Sequence, residues 1–228
     1  MNRREKLKAI LNKYRHAWVF TYLFIYMPWF MWLEKTVTGD YFIIHARIDD
    51  KIPFIEYFIV PYLFWFVFII TAGLYFFFTN VEDFYKFAKL SIIGMTIFLF
   101  ISTLMPNGLD LRPEVFARDN IFVDMVRLLY RADTSTNVFP SLHVYNSLAV
   151  CIAVHESEAL KKHKKICLGA YMIAGLIILS TMFLKQHSVI DVIGAFMMAY
   201  FLYQFVYAEA GARVVRPARE RHMLVGSK

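Results

Sequence analysis

The sequence predicts an all-α integral membrane protein, a bundle of six transmembrane helices. Of its 228 residues, 59% are apolar and 18% are aromatic, whereas a soluble domain of this length is about 45–50% apolar. The apolar residues fall in blocks of about 20, the length that crosses a bilayer as a helix. Short charged stretches separate these blocks. The spans must be helical because a lone strand in lipid leaves its backbone groups unpaired.

The apolar blocks give the positions of the six spans. We predict them at residues 17–33, 57–79, 87–105, 138–155, 166–184 and 188–208. Pro28 lies inside the first span and Pro61 near the start of the second, where proline kinks a helix. The chain therefore divides into a basic amphipathic tail, a six-helix membrane domain and a second basic tail, at residues 1–16, 17–209 and 210–228.

The distribution of Lys and Arg predicts the orientation in the membrane, because cytoplasmic segments are enriched in these residues. An even number of spans puts both tails on one side, and 17 of the 25 Lys and Arg residues lie on that side. We therefore expect both termini in the cytoplasm. The first tail carries Leu7, Ile10 and Leu11 on one helical face. It either lies on anionic lipid headgroups or is an ordinary solvated tail.

Charge and cysteine content argue against other classes of protein. The net charge of +7 comes from residues in the tails and between the spans, so it does not predict nucleic-acid binding. Cys151 and Cys167 lie inside predicted spans, where a buried thiol behaves as a small apolar group. We expect no disulfide and no metal site from them.

Three polar clusters fall at the same predicted membrane face, opposite the cytoplasm. They occupy residues 106–113, 137–143 and 180–191. Ionisable residues at membrane depth are costly, which makes them candidates for function. The three clusters therefore predict one site at the extracytoplasmic surface.

The second cluster contains Pro140, Ser141 and His143. Proline suits the first position of a helix, so Ser141 and His143 are expected in the first turn. Backbone N–H groups are unpaired there and bind anions. Ser141 adds a hydroxyl, and His143 can donate or accept a proton. The alternative is a simple helix cap with an interfacial histidine.

The third cluster contains His187 and Asp191, which are four residues apart and share a helix face. A carboxylate bonded to one ring nitrogen fixes the tautomer and makes the other nitrogen the better nucleophile. The alternative is a structural pair that pins the sixth span to its neighbours. Burying a charge costs several kcal/mol unless it is well paired, and we favour the functional interpretation on that ground.

Two cations within these clusters are candidates for binding phosphate. The planar fork of Arg112 matches phosphate oxygens, and Lys185 offers a point charge. Fixed cations and N–H donors stabilise the charge of a phosphoryl transition state. The alternatives are a solvated loop arginine and a lysine that extends toward the interface from the end of a span.

These residues resemble the signature motifs of the type 2 phosphatidic acid phosphatase superfamily. The Pro-Ser-Leu-His sequence at residues 140–143 resembles motif two, and Arg112-Pro113 resembles the end of motif one. Motif three is matched by the spacing of Ser180, His187 and Asp191. The resemblance covers residues 105–191 and the six-span layout.

The resemblance implies an enzyme that acts on lipid phosphates without a metal or a cofactor. His187 would attack phosphorus to form a phosphohistidine and would be held by Asp191. His143 would protonate the leaving group. Ser141 and Arg112 would contact the phosphate.

Two positions depart from the family pattern. Met105 stands where motif one usually has lysine, and Thr181 stands where motif three usually has arginine. Lys185 can replace one of these cations, and a loop arginine can replace the other: Arg118, Arg127 or Arg131. The Ser-Thr-Met form of motif three is also similar to the inositol phosphorylceramide synthase branch, whose members transfer a phospho-alcohol group to an acceptor hydroxyl.

The sequence leaves three functions open. The first is a phosphatase that hydrolyses a phosphomonoester or pyrophosphate lipid. The second is a lipid phosphotransferase, a phospholipid or sphingolipid head-group synthase with the same intermediate. The third is a catalytically silent binder or transporter of lipid phosphate, although binding alone needs no nucleophile.

The expected partners are a lipid phosphate and membrane lipids. The short loops are typical of a bacterial plasma-membrane protein.

Overall fold

The computed structural model describes residues 2–208, and most of these residues are helical. The predicted tail at residues 210–228 lies outside the described residues. The α-helices, α1 to α8, are Arg3–Lys13, Leu23–Thr36, Ile59–Thr79, Val81–Leu104, Ile121–Ala132, Leu142–Glu156, Lys164–Phe183 and Val189–Tyr203. Short 3-10 segments are Arg15–Tyr22, Asp49–Lys51 and Glu56–Phe58, and a π-helical turn follows α8 at Gln204–Ala208.

Four helical segments in the described part of the chain are long and apolar enough to cross a membrane: Glu56–Thr79, Val81–Leu104, Lys164–Phe183 and Val189–Tyr207. The first predicted span is divided between a 3-10 segment and α2, and α2 contains Pro28. The fourth corresponds to α6, which has 15 residues. The fold is therefore a mostly helical membrane bundle, while the count of six spans stays a prediction.

Helix α6 lies at the centre of the bundle, where it contacts α3, α4, α7 and α8. Its side chains Val144, Tyr145 and Ala149 are fully buried. Tyr145 donates a hydrogen bond of 2.7 Å from its hydroxyl to the carbonyl of Leu90 in α4, as a buried tyrosine hydroxyl requires. Because α6 is enclosed by other helices, its start is held in place by packing on several sides.

The loops at the end of the bundle where α6 begins are tied together by a small backbone network. Strands β1, Phe42–Ile43, and β2, Asn107–Gly108, pair in parallel, and Gly108 also bridges to Thr136. The side-chain oxygen of Asn107 accepts hydrogen bonds of 2.9 Å from the backbone of both Val138 and Phe139. The first polar cluster therefore positions the second one, just before α6 begins.

Helix α5 covers this end of the bundle. Asn120 caps its first turn, and Val126 packs with Ile59, Tyr62 and Leu184. The buried carboxylate of Glu56 accepts from Asn120 at 3.0 Å and from Arg118 at 2.9 Å. These contacts hold α5 over the start of α3 and the end of α7.

Gly94 gives a test of how closely α4 and α6 approach each other. A Cβ atom built on Gly94 would lie 2.1 Å from the ring of Tyr145. We expect Gly94→Ala to lower the free energy of unfolding by about 1–3 kcal/mol, because overpacking forces side chains and backbone to shift. Thermal unfolding in detergent measures this.

The matched control is Gly169→Ala in α7, where an added Cβ would meet nothing within 4 Å. This control should unfold like the wild type. Equal free energies of unfolding for the two variants would contradict close packing of α6 on α4.

Candidate active site

The turn between α7 and α8 places the third polar cluster. The backbone N–H groups of Gln186 and His187 both donate to the carbonyl of Thr181, at 2.9 and 3.1 Å. Lys185 has a φ of 54° and donates its backbone N–H to Met182 at 3.0 Å. This is the Schellman pattern of helix ends, with lysine at the left-handed position where glycine is usual. The turn carries His187 directly to the start of α8.

His187 and Asp191 form the pair that their spacing predicted. The distance from Nδ1 of His187 to Oδ2 of Asp191 is 3.3 Å. The same oxygen accepts from the backbone N–H of Ser188 at 2.9 Å, and Asp191 is fully buried. With Nδ1 facing the carboxylate, Nε2 is the ring nitrogen left for reaction with another molecule.

Asp49 is a buried residue of this region that sequence reasoning missed. Its carboxylate accepts from the hydroxyl of Ser188 at 2.6 Å and from the backbone of Val189 at 2.9 Å. It also accepts from the backbone of Ala46 at 2.8 Å. A negative charge is stabilised at the amino end of a helix. No local pattern signals this role, because Asp49 and α8 are far apart in the chain.

The start of α6 differs from the prediction by two residues. Pro140 does not occupy the first helical position: it precedes the cap residue Ser141, and the Phe139–Pro140 peptide bond is cis. The hydroxyl of Ser141 accepts from the backbone of Val144 at 3.4 Å, so it caps the helix. The backbone N–H of Ser141 donates to the carbonyl of Asp191 at 3.2 Å. This bond joins the second cluster to the third.

His143 projects from the first turn of α6 toward His187. The centroids of the two imidazole rings are 5.9 Å apart. The His143 ring stacks on Tyr62 at 4.5 Å and lies 4.4 Å from the ring of Trp65, both in α3. Aromatic neighbours on the α3 side therefore hold the His143 ring in its orientation.

Arg112 lies at the same end of the bundle, and most of its donors are occupied. One terminal nitrogen donates to the carbonyls of Tyr130 and Asp133, at 3.3 and 2.9 Å. The other donates to the carbonyl of Thr134 at 2.9 Å and to Oε1 of Gln186 at 2.8 Å. Burial lowers the pKa of Arg112, and the nearby Asp133 carboxylate acts against this shift.

A closed ring of contacts joins the candidate residues. The Asp133 carboxylate accepts from the hydroxyl of Tyr62 at 3.3 Å, and burial raises the pKa of Asp133. Tyr62 contacts His143, and His143 faces His187. Gln186, the residue before His187, accepts a hydrogen bond from Arg112 and completes the ring. Sequence reasoning missed the middle members of this ring, because only tertiary packing makes them neighbours: Tyr62, Asp133 and Gln186.

The amino group of Lys185 contacts a residue that is not a member of this ring. Its amino group donates to the backbone carbonyl of Asp49 at 2.7 Å. Burial lowers the pKa of Lys185, and the charges of Asp49 and Asp50 oppose that shift. Lys185 could therefore bind a phosphate at the ring only after its amino group releases the carbonyl of Asp49.

The other substitutes for the missing family cations also lie outside the ring. Arg118 pairs with Glu56, and Arg127 pairs with Asp119 and Asp124. Arg131 is exposed near the end of α5. Of the two departing positions, Met105 is exposed at the end of α4 and Thr181 is buried, with its hydroxyl bonded to Ile178. Within residues 2–208, no group of three or more His, Cys, Asp or Glu side chains could hold a metal ion.

The role of Asp49 can be tested by truncation. We expect Asp49→Ala to lower the free energy of unfolding by about 1–3 kcal/mol, because it removes charge-assisted hydrogen bonds from buried donors. Thermal unfolding in detergent checks this. Asp50→Ala is the matched control, since the Asp50 carboxylate is exposed and pairs with His45. Equal melting temperatures for the two variants would contradict the role of Asp49 at α8.

Comparison with known proteins gives one family match. The pattern of the PAP2 superfamily matches residues 89–213, which is more than half of the chain. The matched region contains the candidate residues Arg112, Ser141, His143, His187 and Asp191. No curated protein and no solved structure matches the chain. The chain belongs to the PAP2 superfamily, which is the type 2 phosphatidic acid phosphatase superfamily.

Proposed function

We propose that this protein is a lipid-phosphate phosphatase that hydrolyses a phosphomonoester or pyrophosphate lipid through a phosphohistidine intermediate. Members of the PAP2 superfamily are typically phosphatases or phosphotransferases. The observation that carries the proposal is the approach of two histidine rings to 5.9 Å, one of them paired with a buried carboxylate. One phosphorus atom between the rings would meet a nucleophile on one side and an acid on the other.

The first chemical step is attack by Nε2 of His187 on phosphorus. A nitrogen–phosphorus bond forms as the bond from phosphorus to the leaving oxygen breaks. His143 gives its proton to that oxygen as the lipid alcohol or phosphate leaves. Asp191 accepts the Nδ1 proton in a hydrogen bond and stabilises the positive charge of the substituted imidazole.

The second step returns the enzyme to its starting state. His143, now neutral, takes a proton from a water molecule as that water attacks phosphorus. The bond to His187 breaks, and inorganic phosphate leaves. Microscopic reversibility lets one residue serve as acid in the first step and as base in the second. An alcohol in place of water would give a transferred phosphate instead.

The phosphate itself requires positive charge and N–H donors. Arg112 supplies a fixed cation beside the histidine pair, and Ser141 supplies a hydroxyl at the amino end of α6, where unpaired N–H groups favour anions. Lys185 contributes a second cation after releasing the carbonyl of Asp49. These residues stabilise charge on the equatorial oxygens of the phosphoryl group.

The proposed topology has six spans, with both termini in the cytoplasm and the site at the extracytoplasmic face of a bacterial plasma membrane. The segment from Arg15 through α2 and the short helix α6 would complete the set of spans with the four long helices. The starts of α3, α6 and α8 lie with the ends of α4 and α7 around the site, which supports alternating helix directions. An outer site suits a lipid substrate of the outer leaflet.

The histidine pair is tested by substitution and by trapping. We expect His187→Gln to lower kcat for phosphate release by at least about 10⁴-fold and His143→Gln to lower it by about 10²–10⁴-fold. Purified protein is assayed with a panel of phosphomonoester and pyrophosphate lipids. Acid-labile ³²P on the wild type, absent from His187→Gln, would identify the phosphohistidine.

The control is His155→Gln, at the other end of α6, where the ring bonds to Tyr171. It should retain wild-type turnover. No phosphate release from any lipid would exclude hydrolysis. A product formed only with an added alcohol acceptor would identify a phosphotransferase, and absence of labelling with every donor would favour a silent binder.

Lys185→Gly separates the two roles of Lys185. The substitution removes the contact with Asp49, but glycine adopts a φ of 54° without steric cost. Because the second effect offsets the first, the free energy of unfolding should change by less than about 1 kcal/mol. Loss of a charged phosphate contact should lower kcat/KM by about 10–100-fold. Unchanged kcat/KM in a folded variant would show that Lys185 serves only the turn.

A further inference from the structure

The carboxamide of Gln186, the residue before His187, has one end bonded and the other end without a partner. Gln186 is 3% exposed. Its oxygen accepts from Arg112 at 2.8 Å. Its nitrogen Nε2 is buried and has no hydrogen-bond acceptor among the described residues. Buried N–H groups in folded proteins are nearly always paired, so an unpaired one needs an explanation.

The direction of this carboxamide is set by Arg112. A guanidinium carries donors only, so it must face the amide oxygen and never the amide nitrogen. Rotating the amide by half a turn would place donor against donor. The two N–H groups of Nε2 therefore point away from Arg112, and the contact with the guanidinium maintains that direction.

Arg112 itself has little left to offer a bidentate ligand. Four of its five N–H groups donate to protein acceptors: the carbonyls of Tyr130, Asp133 and Thr134, and Oε1 of Gln186. Its planar fork is thus used to connect the end of α5 to the residue before His187. Its charge remains close to the site, but its N–H donors are bonded to protein acceptors and are not free to bind a ligand.

Gln186 is next to His187 in the chain, where a bound phosphoryl group would require hydrogen-bond donors. It directly precedes His187 in a turn whose two N–H groups share the carbonyl of Thr181. The family cation expected at position 181 is absent, and the amino group of Lys185 contacts Asp49 instead. Gln186 is itself a member of the ring of contacts that includes both histidines, through its bond to Arg112.

We propose that Nε2 of Gln186 donates a hydrogen bond to the phosphoryl group of the substrate, and that Arg112, besides supplying charge, orients this amide. The inference rests on the proposed function, since the acceptor is the phosphoryl group that His187 attacks. A neutral donor here takes the place of a family cation. The lipid headgroup and free phosphate share this chemistry, and the experiment separates them.

Gln186→Glu is the decisive variant. Glutamate keeps an oxygen for Arg112 but replaces the N–H donors with a second acceptor, so the connection to α5 survives while the phosphate donor is lost. We expect binding of orthovanadate, measured by titration calorimetry on purified protein, to weaken by at least about 10-fold. We expect kcat/KM for dioctanoyl phosphatidic acid to fall by about 100-fold or more, with an unchanged melting temperature.

The matched control is Gln204→Glu, the same substitution on an exposed residue beyond α8. It should bind orthovanadate and turn over lipid like the wild type. Arg112→Met should weaken orthovanadate binding in the same direction as Gln186→Glu, because the amide loses its orientation. Gln186→Met, which removes donors and acceptor without adding charge, should also weaken it at least about 10-fold if Gln186→Glu does not fold.

Three results would overturn the inference. The first is wild-type affinity for orthovanadate together with wild-type lipid turnover in either Gln186 variant. The second is absence of orthovanadate binding to the wild type. The third is loss of lipid turnover with orthovanadate affinity unchanged, which would assign Gln186 to the lipid and not to the phosphoryl group. Each leaves the proposed function to be decided separately by ³²P labelling of His187.

Discussion

The contact between the buried carboxylate of Asp49 and the first turn of α8 is the interaction on which the site depends. It satisfies the hydroxyl of Ser188 and the backbone of Val189, which lie between His187 and Asp191 in the chain. An unpaired carboxylate in an apolar bundle would be strongly unfavourable. The 3-10 segment Asp49–Lys51 and α8 are therefore held in one arrangement, and the rest of the site is assembled from there.

The same constraint explains the connections between the loops. The side chain of Asn107 accepts hydrogen bonds from the backbone just before α6. The carbonyl of Asp191 accepts from the backbone of Ser141, and Arg112 donates to three carbonyls near the end of α5. Each bond satisfies a polar group that would otherwise be buried alone. The result is that segments from different parts of the chain meet with little freedom, which is what positioning two histidines around one phosphorus atom requires.

Much of the fold and part of the site could be predicted from local patterns. Apolar blocks predicted the long helices, and the spacing of His187 and Asp191 predicted their contact at 3.3 Å. The prediction that Pro140 opens α6 was wrong, because Ser141 caps the helix and Pro140 precedes the cap. Asp49, Tyr62 and Gln186 gave no signal, since their partners are distant in the chain and their roles arise only on packing.

The sequence by itself indicated the membrane class, the positions of the long helices and the histidine–aspartate pair. Span length, apolar content and the 3.6-residue helical repeat act within a short stretch of chain and need no partner. The tertiary structure alone decided which donors remain available to a ligand. It directs Lys185 to Asp49, engages Arg112 with backbone carbonyls and leaves the amide nitrogen of Gln186 unpaired. Hydrogen bonding depends on three-dimensional neighbours, and composition and spacing do not specify them.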